Sequence, residues 1–192
     1  GEIPLCPYDS CRLLAMNLLS YVDNPFTKEA KFNFDRFKAH VGKAMRMMDD
    51  IIDLELEKVE QIIRKIADDP EDEDIRRVEL ELWKKIRTMA QKGRRTGLGI
   101  TAEGDMLAAL GLRYGTDEAI AFAVEVQKTL ALAAYGASVG MAAERGAFPV
   151  YDARREQDNP MIARIREADH ALYERMVRDG RRNIAMLTIA PT

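Results

Sequence analysis

The sequence predicts an α/β fold rich in helix, with a few parallel strands set between long amphipathic helices. Three observations carry this reading. An unbroken helical spacing of apolar residues runs from Asp35 to Ile66. A helix followed by Gly-Arg-Arg occurs twice, at Gly93-Arg94-Arg95 and at Gly180-Arg181-Arg182. Each time a nearly uncharged run rich in Ile, Leu and Thr follows, as a strand buried on both faces requires. Because helix outweighs strand, a nearly all-α fold is the competing reading.

Taken in order, the segment 3–14 holds two prolines, two cysteines and mixed apolar residues, which suits a loop leading into a short buried strand. Leu13, Leu14, Met16, Leu18 and Leu19 continue apolar, as strand or as the first turn of a helix. Asn24-Pro25 marks a turn, since a residue before proline avoids the helical region. The long helix carries Phe37, Val41, Ala44, Met45, Met48, Ile51, Ile52, Leu54, Leu56, Val59, Ile62, Ile63 and Ile66 in an amphipathic pattern and stops before Asp68-Asp69-Pro70. A second helix opens in the acidic segment 71–74 and runs to Gly93, a natural C-terminal cap. Strand 96–102 follows, then a short helix over 105–111. Thr116 is placed to cap a helix running to Arg145, whose many alanines and Gly140 suit close packing against neighbours. Asn159-Pro160 opens a last helix to Asp179, and a third strand spans 183–190. The whole is read as one unit over 1–192.

Composition excludes several functions. With 47% hydrophobic and 32% charged residues this is an ordinary globular mixture, and a net charge of -3 provides no global basic field for duplex DNA or an anionic membrane. No apolar run approaches the ~20 residues needed to cross a bilayer, and nothing resembles a secretory leader, so a cytoplasmic protein is expected. Cys6 and Cys11 are too few for a disulfide scaffold and lack the clustered histidines of a zinc site. The chain starts at Gly1 rather than Met and stops at Thr192 just after an apolar run, so both ends are expected to be cut points.

Asp49, Asp50, Asp53 and Glu57 form a carboxylate stripe, and Glu167 with His170 forms a lone Glu-x-x-His pair. A di-metal bundle needs two such pairs and two more inward glutamates, so these are expected to be solvated helix faces. Arg94-Arg95 and Arg181-Arg182 sit where cations offset the negative end of a helix, or alternatively flank a phosphate or partner site. Gly97-x-Gly99 does not continue into a dinucleotide fingerprint, because Glu103 and Asp105 put acid where a pyrophosphate would lie. Met45, Met47 and Met48 are read as core filling. Glu2 and Cys11, nine residues apart, could set a proton-transfer group and a redox thiol at opposite ends of one extended segment; a buried structural cysteine is the plainer alternative.

Gly1-Glu2-Ile3-Pro4-Leu5 and Cys11-Arg12-Leu13-Leu14-Ala15-Met16-Asn17-Leu18 resemble the segment after the active-site cysteine in ribonucleotide reductase large subunits, where Asn-Pro-Cys-Gly-Glu forms the finger loop. The runs Gly93 to Ile100 and Arg181 to Thr192 are similar to later barrel strands of the same family, in the same order. The direct run from Gly1-Glu2 to Cys11 is similar to the adenosylcobalamin-dependent class. The resemblance implies a helix-rich portion of a ten-stranded α/β barrel, in a parent enzyme whose thiyl radical abstracts a hydrogen from the ribose of a ribonucleoside di- or triphosphate. It makes Glu2 the general acid/base, Cys11 one of two reducing thiols that become a disulfide, and Ala190, Pro191 and Thr192 the start of the loop holding the substrate phosphates. Cys6 receives no role. The expected partners are the substrate, the remaining parts of the reductase chain and a possible second copy, with neither nucleic acid nor membrane. The thiyl-forming cysteine, the partner of Cys11 and the cobalamin-binding segments are not in this sequence, so the isolated chain is expected to bind no cofactor and reduce no nucleotide. Two further readings stay open: a non-catalytic helical interaction module built on the alanine-rich helix, and a dithiol oxidoreductase using Cys6 with Cys11. Parallel pairing of the runs around Leu98 and Leu187 would favour the barrel piece over the module.

Overall fold

A computed structural model describes residues 5–189. Strand β1 (Arg12–Asn17) leads through a single 3-10 turn (Leu18–Tyr21) into a small hairpin of β2 (Val22–Asp23) and β3 (Lys31–Phe32). Helix α1 (Phe34–Ala67), helix α2 (Glu73–Gly93) and strand β4 (Thr96–Thr101) follow, then α3 (Glu103–Ala109), α4 (Asp117–Arg145), α5 (Pro160–Ala168) and α6 (His170–Asp179). β1 and β4 pair in parallel from Arg12 opposite Thr96 to Asn17 opposite Thr101. Leu187 adds a parallel bridge to Leu98, and Thr188 N–H donates to the Leu98 carbonyl at 3.1 Å. The helical module therefore gives way to the α/β reading: the two runs that discriminate them lie side by side in parallel.

The apolar stripe of α1 forms the centre of the core. Phe37, Val41, Met45 and Ile52 are fully buried, and they share one cluster, Ile52 apart, with Met16 of β1, Leu98 and Ile100 of β4, and Met186. Burying a side chain of this size removes enough apolar surface from water to contribute about 1.5–3 kcal/mol each. Caps fix where the helices begin: Asn33 accepts from Arg36 N–H, Asp72 from Asp74 N–H and Thr116 from Ala119 N–H.

Several boundaries move. Within the segment read as a loop leading into a strand, the strand starts at Arg12, and its apolar run is strand to Asn17 and 3-10 turn after it, so both sequence options are partly realised. Among the described residues of the third run, strand pairing is confined to the bridge at Leu187. The last helix is two: Asp169 leaves helical geometry at φ −151°, closes α5, and caps α6 by accepting from Leu172 N–H at 2.9 Å. On α4 the buried small residues include Ala119, Ala134, Ser138 and Ala142, whereas Gly140 has open space where a Cβ would stand, so close approach does not explain it.

Candidate active site

The β1–β4 sheet has unlike faces. Arg12, Met16, Leu98 and Ile100 turn toward α1 and are buried, while Leu13, Ala15 and Asn17 on the alternate face of β1 are exposed. Cys11 lies just before β1 at the edge of that open face and is partly buried. Its surroundings are clamped on two sides. Arg12 donates to Glu55 of α1 at 2.6 Å and to the Arg95 carbonyl at 3.3 Å, and Arg95 pairs with Asp9, whose side chain is almost wholly buried. The loop before the thiol is thus tied to α1 and to the start of β4. Cys6 is exposed, with the Arg95 guanidinium donating to its sulfur at 3.7 Å.

Across β4 the backbone approaches are unusually close. A Cβ on Gly97 would stand 2.7 Å from Leu13 Cδ2, 2.8 Å from Cys11 Sγ and 3.0 Å from Thr188 Cγ2, and one on Gly99 would stand 2.6 Å from the Thr188 carbonyl oxygen. At Gly99 the opposing atom is backbone, so space rather than φ requires glycine; at Gly97 the opposing atoms are side-chain ends that an added Cβ would displace. Thr188 itself lies one residue before Ile189, the last described residue, so this run leads directly toward the predicted phosphate loop. Glu2, Ala190, Pro191 and Thr192 lie outside the described residues.

Also at the N-terminal ends of the strands, between them and α1, lies a buried ionic cluster that a solvated carboxylate stripe does not predict. Asp49 is fully buried rather than solvated. Its oxygens accept from Arg94 Nε at 2.8 Å, Asn183 Nδ2 at 3.0 Å, Arg182 Nε at 3.2 Å and Arg145 Nη1 at 3.4 Å. Burial alone would raise the Asp49 carboxyl, but the Arg94 and Arg182 guanidiniums outweigh it and hold the group below its ordinary value. Arg94 also reaches Asp53 at 2.8 Å, and Ser138 of α4 donates to Asn183 at 2.9 Å. These arginines are consumed by protein carboxylates, so the alternative of a phosphate site flanked by Arg94 or Arg182 falls away. Asp50 and Asp53 remain half-exposed as expected. His170 and Glu167 are on the surface, with His170 facing Glu174. Among the described residues no group of His, Cys, Asp or Glu could hold a metal ion, and no helix is long and apolar enough to cross a membrane.

A parallel pair of strands covered by helices on one side, with a thiol at its edge, defines a helix-rich α/β protein. The sequence profile described as the ribonucleotide reductase barrel domain matches residues 1–192, and the chain belongs to that family. Relatives named vitamin B12-dependent ribonucleoside-diphosphate reductase occur in two strains of Mycobacterium tuberculosis, 28% identical over 193 residues that cover 100% of this chain and 21% or 20% of theirs. One of the same name from Thermoplasma acidophilum is 34% identical over 151 residues, 79% of this chain and 16% of its own. The chain spans about a fifth of the length of the curated mycobacterial relatives it matches.

Proposed function

We propose that this chain is part of the ten-stranded barrel of an adenosylcobalamin-dependent ribonucleotide reductase, with Cys11 as one of its two reducing thiols. The observation that carries the reading is the thiol's place: at the edge of the β1–β4 sheet, beside the run that leads into the predicted phosphate loop. In the reaction the ribose C2′–O bond breaks and water leaves. Two thiols supply the two electrons and the protons, and a disulfide forms between Cys11 and a cysteine elsewhere in the reductase. Glu2 serves as general acid/base at the ribose hydroxyls, and Ala190, Pro191 and Thr192 begin the loop whose N–H and hydroxyl donors hold the phosphates. The relatives' names favour a ribonucleoside diphosphate as substrate.

The described residues do not fit a cobalamin site. His40 bonds Tyr21 at 3.2 Å, His170 sits at the start of α6, and neither lies on the β1–β4 face. The cofactor's contacts are therefore assigned to the rest of the reductase. A cytoplasmic location, and a second copy as partner, belong to the same proposal.

The test is Cys11→Ser in a reductase chain carrying this segment: multiple-turnover reduction is lost while substrate binding persists. Retained turnover would overturn the assignment. The purified 192-residue chain, with only two cysteines, reduces no nucleotide with or without cobalamin, and measurable turnover would contradict the alignment of motifs. Sequencing of the flanking coding DNA gives an independent check, with Asn-Pro-Cys expected upstream and Gly-Ser or Gly-Thr downstream.

A further inference from the structure

We propose that Gly97 and Gly99 form a seat that positions the Cys11 thiol, with Thr188 as its second wall, and that Gly97, Gly99 and Thr188 are positioning residues for the redox step. This rests on the reading of Cys11 as a reducing thiol. Three side chains from two segments, Cys11 and Leu13 at the start of β1 and Thr188 on the last run, converge on the space that a Cβ of residue 97 would fill, all at 3.0 Å or less. Real Cβ contacts do not come so close, so any side chain at 97 displaces at least one of them. Gly99, two residues on and on the same face of β4, admits the Thr188 carbonyl at a Cβ distance of 2.6 Å, and so holds the Thr188 side chain over Gly97. The Gly-x-Gly pattern thus serves packing, not a pyrophosphate. One device sets two things together: the height of the sulfur above the sheet, and the distance from that sulfur to the run leading into the phosphate loop. Thiol exchange depends on which sulfur can be reached as well as on its ionisation, so a displaced sulfur changes rate without any change in charge.

The test uses Cys6 as an exposed internal reference. In the 192-residue chain, iodoacetamide labels Cys11 more slowly than Cys6, read residue by residue by mass spectrometry. Gly97→Ala raises the Cys11 rate several-fold relative to Cys6, and adding Leu13→Ala, which removes the nearest clashing atom, returns it toward the original ratio. An unchanged ratio in a Gly97→Ala chain that keeps its circular dichroism and cooperative melting overturns the proposal. Should Gly97→Ala fail to fold, Thr188→Ser decides: deleting the Cγ2 wall raises the Cys11 rate, and no change overturns the seat. In a reductase chain carrying the segment, Gly97→Ala lowers kcat several-fold and leaves KM within twofold; an equal loss through KM also overturns it. If Cys11→Ser leaves turnover intact, the functional reading fails while the labelling ratio still decides whether the seat exists.

Discussion

The two Gly-Arg-Arg segments are nearly identical in sequence and opposite in use. In the first, the leading arginine, Arg94, enters the buried cluster at Asp49, and the following Arg95 turns outward to Asp9. In the second it is the following residue, Arg182, that reaches Asp49, while the leading Arg181 turns to Glu156 and lies against the rings of Tyr135, Phe148 and Tyr151. The difference begins in the backbone. Helix α2 ends with Arg94 itself in the left-handed region at φ 45°, whereas α6 ends with Gly180 at φ 74°. The positive-φ residue differs by one position and the two caps differ in ψ, 51° at Arg94 against −166° at Gly180, and the arginine that meets Asp49 differs by one position with them. A short motif therefore fixes which residue types meet a helix end, but the capping residue decides where each side chain points.

The comparison can be broken experimentally, and the largest effect is expected at its shared partner. Asp49→Ala strands buried guanidiniums from both segments and should cost about 3–5 kcal/mol in urea unfolding. Arg182→Ala should cost less, about 1–3 kcal/mol, because Arg94 and Asn183 still satisfy the carboxylate. Arg94→Ala should fall above Arg182→Ala, since it also abandons the Asp49 carbonyl and Asp53. The reverse order would show that the two arginines are not used as described. A pH series sharpens the point. Asp49 is held below its ordinary value, so its contribution is fully present above the unfolded carboxylate pKa of about 3.9 and is lost as pH falls through the lower folded value. Asp49→Asn should flatten that part of the acid limb in thermal melts. The smallest effect belongs to Arg46 and Glu144, an exposed pair at 2.7 Å whose removal by Glu144→Ala should change stability by about 0–1 kcal/mol and respond to salt.

Much of this architecture can be read from the chain because it is local. The period of Phe37, Val41, Met45, Met48 and Ile52 depends only on α1, and the caps at Asp72 and Thr116 lie within a turn of what they hold. What escaped was nonlocal. Asp49 shares a stripe with exposed Asp50 and Asp53, and nothing within one helix says which carboxylate faces three distant arginines. The break at Asp169 carries neither proline nor glycine, and the signal was the residue's capacity to cap the helix that follows. In the candidate site, Cys11 was found through resemblance, while Gly97 and Gly99 were weighed only against a nucleotide fingerprint. Their use depends on Thr188, which lies on a run some ninety residues later in sequence.

Asp49 also has a meaning in time. Its partners Arg94, Arg145 and Arg182 lie 45, 96 and 133 residues away along the chain, so the loops that bring them in close at very different entropic cost. Helix α1 can wind early with its carboxylate in water. Burying that carboxylate before any guanidinium arrives would leave an uncompensated charge, so the core can seal around it only once an arginine such as Arg94 has docked. A single acidic side chain thereby links completion of this part of the fold to segments that arrive from far along the chain.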